Sequence, residues 1–151
     1  DEVYNFSEGF ARVKLEGRGC NWIDTNGELL WDKDKWFDNN ESFFEGFAGV
    51  YIKGRGWNFI NTNCEYLWKG DEWFNYVSIF SNGFAKVYKQ GKGYNFINKQ
   101  GKLLWKEEEW FDNAYDFVNG LAGIKRNNED WKCINTNGEI IDRRPRRRVK
   151  K

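Results

Sequence analysis

From Phe43 to Asn61 the chain reads FFEGFAGVYIKGRGWNFIN. Phe47, Gly49 and Tyr51 alternate with Ala48, Val50 and Ile52, the two-residue period of a strand. Gly54-Arg55-Gly56 breaks the run with residues that accept the positive φ of a tight turn. Trp57 to Asn61 then supply a second strand.

Outward from this stretch the same phrase returns at an interval of 37 residues, four times in all, without insertion or deletion. Gly9, Gly46, Gly83 and Gly120 mark its phase, and Phe6, Phe43, Phe80 and Phe117 stand three places earlier. Ala11, Ala48, Ala85 and Ala122 form a further constant column, as do Ile23, Ile60, Ile97 and Ile134. A fixed period of this length marks a repeat architecture, in which one small unit buries its apolar face by stacking on its neighbours. A second turn is read at Asn26-Gly27, Asn63-Cys64, Gln100-Gly101 and Asn137-Gly138. A short third strand follows at Leu29-Leu30-Trp31, Tyr66-Leu67-Trp68, Leu103-Leu104-Trp105 and Ile140-Ile141. A charged connector then leads to Trp36-Phe37, Trp73-Phe74 and Trp110-Phe111. The expected unit is thus a three-stranded antiparallel meander with an aromatic-anchored connector. The units are 1–37, 38–74, 75–111 and 112–142, forming one β-repeat domain over residues 1–142 with a basic tail at 143–151.

With 151 residues the chain is long enough for a real core. Its mean hydropathy of −0.86 is low, but aromatics at 19% argue against disorder. The pair fits a thin β-structure whose core is built from large rings. No apolar run approaches the length of a membrane span. There is no start Met and no signal peptide, and residue 1 opens in mid-phrase, as expected of a piece of a longer protein. The formal charge of +1 conceals a tail, RRPRRRVKK, that carries seven of the 24 basic residues.

The run Phe43-x-Glu45-Gly46-Phe47-Ala48-x-Val50, followed by Gly56-Trp57-Asn58-Phe59-Ile60-Asn61 and the turn before Glu65, resembles the WG (KWG) repeat of bacterial and phage proteins. Phe111-Asp112-Asn113-Ala114-Tyr115-Asp116-Phe117 resembles that family's link into the next copy, and the likeness runs through residues 1–142. One departure is plain: the glycine that names the motif is Asn21, Asn58, Asn95 or Lys132 here, and its tryptophan survives as Trp57 and Trp131. The resemblance implies a β-rich module, often appended to other domains, with no general biochemical activity.

Candidate chemistry is sparse. The three cysteines occupy three different phases and form no close pair, so neither a disulfide framework nor a metal site is read from them. Cys20 and Cys133 read as fillers of aromatic slots and Cys64 as a turn substitution. Asp24-Thr25-Asn26-Gly27-Glu28 is too short for a calcium loop, since Leu29 and Leu30 follow at once. The Gly-x-Gly turns around Arg18, Arg55 and Lys92 open onto strands, not onto the helix N-terminus that a phosphate loop needs. The chain has no histidine, and its acidic columns do not persist from copy to copy. No catalytic residue, cofactor or metal is therefore expected.

The nine tryptophans remain. Trp31, Trp68 and Trp105 read as a ladder inside the stack. Trp36, Trp73 and Trp110 read as connector anchors or, alternatively, as an exposed row for a protein or glycan. Arg143, Arg144, Arg146, Arg147, Arg148, Lys150 and Lys151 are the candidate contacts for an anionic polymer, the one place where nucleic acid is considered. The sequence reading is an all-β, solenoid-like tandem array, with a four-bladed propeller as the alternative. Its expected function is that of a non-catalytic repeat module for protein–protein interaction or scaffolding, with carbohydrate or cell-wall binding through aromatic rows as the alternative.

Overall fold

The computed structural model describes residues 1–106 and 110–141, and the basic tail lies outside them. All regular structure there is β, in four separate antiparallel sheets spaced by the sequence period. The first sheet orders β1 (Glu2–Ser7), β2 (Phe10–Leu15) and β3 (Gly19–Ile23). The second holds β4 (Asn39–Asn40), β5 (Phe47–Ile52) and β6 (Gly56–Asn61), and the third β7 (Tyr76–Val77), β8 (Phe84–Lys89) and β9 (Gly93–Asn98). The fourth adds an edge strand: β10 (Asn113–Ala114), β11 (Leu121–Lys125), β12 (Lys132–Asn135) and β13 (Ile140–Ile141).

Two details differ from the sequence reading. The polar stretch ahead of Phe43 is itself the first strand, with Asn39 opposite Tyr51 and Asn40 opposite Val50. The expected third strand shrinks, in the first three units, to single bridges at Ile23–Leu29, Ile60–Tyr66 and Ile97–Leu103. The cause is the asparagine that replaces the motif glycine. Asn58 Oδ1 accepts the amides of Phe59 at 2.7 Å and Trp68 at 3.0 Å, while its Nδ2 donates to the Trp68 carbonyl at 3.0 Å. Asn21 binds Trp22 and Trp31 in the same way, as Asn95 does Phe96 and Trp105. The side chain takes the ladder bonds of the incoming strand, which then loops away. It returns at Phe37, Phe74 and Phe111, whose backbones pair with Cys20, Trp57 and Tyr94. In the fourth unit Lys132 stands at this position, and β13 runs as a regular strand.

The returning phenylalanine explains one glycine column. A Cβ on Gly19, Gly56 or Gly93 would lie 2.5, 2.6 or 2.4 Å from the carbonyl oxygen of Phe37, Phe74 or Phe111, and all three have φ above +100°. Only glycine admits that approach.

Successive units pack on one another, and each junction is an aromatic plug in an aromatic socket. Phe43 lies 5.1 Å from Phe10 and 5.3 Å from Trp22 of the preceding unit. Phe80 repeats this against Phe47 and Phe59 at 4.9 and 5.0 Å, and Phe117 against Phe84 and Phe96 at 4.8 Å each. Three apolar clusters result, one per junction. Among the described residues no sheet, cluster or hydrogen bond joins the first unit to the fourth. Among the described residues the array is open, as the sequence reading preferred.

Candidate functional site

Trp36, Trp73 and Trp110 are buried, so they do not form an open aromatic row. Each is capped by the basic residue at its unit's turn tip: Arg18 over Trp36 at 4.3 Å, Arg55 over Trp73 at 4.1 Å, Lys92 over Trp110 at 5.5 Å. The cation sits on the ring face that a sugar or side chain would need. Of the two readings of this column, the geometry takes the anchor. The same contacts account for the basic turn tips. The anionic candidates from Arg143 to Lys151 lie outside the described residues.

The ladder column behaves differently along the chain. Trp31 is buried, whereas Trp68 and Trp105 are half-buried. The difference arises at the residue 35 places after the tryptophan, contributed by the next unit: Tyr66 for Trp31 and Leu103 for Trp68. Between the first and second units Tyr66 fills the space, its ring 6.2 Å from Trp31 and 5.1 Å from Trp73. Cys64 closes the same junction, with Sγ 3.3 Å from the Leu30 carbonyl. Its φ of 63° confirms the turn-substitution reading. One unit later, Leu103 and Gly101 replace them, and a groove of about 870 Å³ opens. Leu67 and Leu103 line it with aliphatic surface, and Trp68, Trp105 and Trp110 with aromatic surface. Gly101 lets the backbones close at its base, since a Cβ there would lie 2.5 Å from the Leu67 carbonyl oxygen.

Lys69, Lys92, Lys102 and Lys106 line this groove, and no carboxylate among the described residues pairs with any of them. Glu72, the acid on the connector beside it, is held instead by Lys89 at 2.9 Å. That hydrogen bond, aided by the charge of Lys89, keeps the Glu72 carboxyl below the usual carboxylate range. The groove is therefore a cationic trough with apolar and aromatic walls. Periodicity could not reveal it, because it exists where the repeat departs from itself.

Nothing in the described residues resembles a nucleophile with its base. Burial pushes the Cys20 and Cys64 thiols up, which disfavours the reactive thiolate. No group of three metal-ligating side chains occurs among the described residues. Among the described residues no helix is long and apolar enough to cross a membrane.

The comparisons agree on architecture. No curated protein matches the chain in sequence. Among solved structures, the computationally designed Ika8 protein matches at a TM-score of 0.53 and 12% identity, covering 93% of this chain and 48% of that one. The designed Ika4 protein matches at 0.53 and 13%, covering 88% of each. BamB from Moraxella catarrhalis matches at 0.51 and 9%, covering 93% of this chain and 48% of its own. The chain thus spans about half the length of Ika8 and BamB. At such identities these likenesses concern the fold alone. The family model for the WG containing repeat matches residues 1–18 and 111–129, the leading segments of the first and last units. Over those two segments the chain is similar to the WG containing repeat, and the middle units share the same turns and plugs.

Proposed function

We propose that the chain is a non-catalytic recognition module, and that the groove between its second and third units takes an acidic segment of a protein partner. The observation that carries this reading is the set of four lysines, none in an ion pair with a carboxylate among the described residues, around a trough lined by Leu67, Leu103 and tryptophans. Lys92 already caps Trp110, but cations without an ion pair among the described residues, set around apolar surface, favour a ligand that brings both carboxylates and apolar groups. The lack of histidine and the raised thiols support a binding role over catalysis.

The test is titration with a peptide of alternating acidic and aliphatic residues, followed through tryptophan fluorescence. Binding should weaken with added salt and be lost in the double variant Lys69→Glu, Lys102→Glu. A neutral peptide of the same apolar content should bind far less. Binding of a uronic-acid oligosaccharide in place of the peptide would replace the protein reading with the carbohydrate one. Unchanged peptide binding in the double variant would remove the groove from either.

A further inference from the structure

The two ends of the array expose the two halves of an interface that the chain forms three times internally. On the leading face of the first unit, Phe6 is 52% exposed, whereas its counterparts Phe43, Phe80 and Phe117 are buried as plugs. Val3 is 69% exposed, while Asn40, Val77 and Ala114 in its column are buried. On the trailing face of the last unit, Trp131 is 41% exposed, and Tyr115 stacks on it at 4.7 Å.

We propose that these faces dock on one another between two copies of this chain, the first unit of one copy seating on the last unit of the other. The internal junction between the second and third units gives the template. There, Gly49 leaves a space that a Cβ would bring within 3.3 Å of Val77 Cγ2 and 3.4 Å of the Trp57 ring. At the free ends, Gly123 and Trp131 repeat Gly49 and Trp57, and Val3 repeats Val77. The trio is present in full, divided between the two termini of the array. Phe6 would enter between Leu121 and Cys133, which hold the positions of the socket residues Phe47 and Phe59. Both are smaller than the rings they replace, so the socket has room for the plug.

A polar register accompanies the apolar one. Glu45 Oε1 accepts the Gly83 amide at 2.9 Å, and Asn82 Oδ1 accepts the Gly120 amide at 3.0 Å. Asn119 occupies the same turn position as Asn82, and among the described residues neither its side chain nor the Gly9 amide makes the corresponding cross-junction bond. Docking would join these two groups. The contact is heterologous, so two copies can satisfy both pairs of faces at once by closing on each other. It does not involve the lysine groove and stands or falls separately from the reading of that site.

Sedimentation of the full chain over a range of concentrations tests this. The wild type should associate reversibly into a species of two chains, and high salt should not dissociate it, because the core of the contact is apolar. Phe6→Asp and Trp131→Asp should each sediment as monomers with melting temperatures close to the wild type. Mixing the two should restore a one-to-one dimer, since one intact leading face and one intact trailing face remain. If Trp131→Asp fails to fold, Leu121→Asp serves as the trailing-face partner. A wild type that stays monomeric into the high micromolar range would overturn the proposal. So would a dimer indifferent to Phe6→Asp, or a mixture of the variants that stays monomeric.

Discussion

The Glu45 carboxylate crosses a unit junction to accept the backbone amide of Gly83 at 2.9 Å, from a residue whose own φ is +51°. Glutamate is poorly suited to that left-handed turn position, where asparagine and glycine dominate. Glu8, Glu45 and Asn82 share the backbone geometry and each binds the following turn: Glu8 the amide of Gly46 at 2.8 Å, Asn82 that of Gly120 at 3.0 Å. What the column keeps is an oxygen acceptor of suitable reach, not a charge. That is why it looked unconserved from copy to copy.

Glu45 should give the array a step of acid sensitivity. Burial raises its carboxyl, but the amide of Gly83 and Lys99, at 3.2 Å, outweigh it and hold the group below the ordinary carboxylate range. A depressed folded pKa stabilises above the unfolded value, about 4.3 for glutamate, and that stability disappears as pH falls through the folded value. Melting temperatures across this range should show the step in the wild type and its loss in Glu45→Gln, which keeps a neutral acceptor. Parallel profiles for the two proteins would disprove the linkage.

Asn58 should tolerate no apolar replacement. Asn58→Ala leaves the amides of Phe59 and Trp68 and the Trp68 carbonyl without their side-chain partner in a buried setting. Unsatisfied buried groups cost about 1–3 kcal/mol each, so urea unfolding should reveal a loss of roughly 3 kcal/mol. A loss below about 1 kcal/mol would mean that the third strand can close the ladder by itself.

The turn glycines should separate into two classes. Gly56→Ala places a Cβ 2.6 Å from the Phe74 carbonyl oxygen, whereas Gly54→Ala meets open space, and both have positive φ. Gly54→Ala should cost about 1 kcal/mol; Gly56→Ala should cost more, about 2–3 kcal/mol, and loosen the Phe74 return. Denaturant midpoints of the two variants give the comparison.

Trp73 should behave as a core residue rather than a contact. Trp73→Ala should destabilise by about 3–5 kcal/mol, and Arg55→Ala, which removes only the cation above the ring, by about 1 kcal/mol. Selective loss of partner binding by Trp73→Ala, with an unchanged melt, would contradict its burial.

Cutting out residues 75–111, one period in phase, should leave a soluble and cooperative protein of lower melting temperature. The cut joins Phe74 to Asp112 and offers Phe117 to the socket of Phe47 and Phe59, which Phe80 fills now. Each unit touches only its neighbours, so one unit and one junction are subtracted. Aggregation of the shortened chain would point to a coupling between distant units that the open array lacks.

The sequence by itself determined the period, the two hairpin strands, the turn glycines and the aromatic nature of the core, because a chain that repeats at 37 residues without a gap must place equivalent residues in equivalent environments. It also marked Cys64 as a turn residue, and φ bears that out. Only the tertiary structure decided what each column does across the junctions. The polar Asn39–Asn40 became a strand because its partner residues in β5 were already held in place by β6. The asparagines at the motif position replaced a backbone ladder with side-chain amides, a choice that no propensity records. Trp36, Trp73 and Trp110, set among charged neighbours in the sequence, were buried under turn-tip cations that lie 18 residues away along the chain. The groove and the two bare faces are visible only in three dimensions, because they arise where one unit differs from the next or where no neighbouring unit is seated among the described residues.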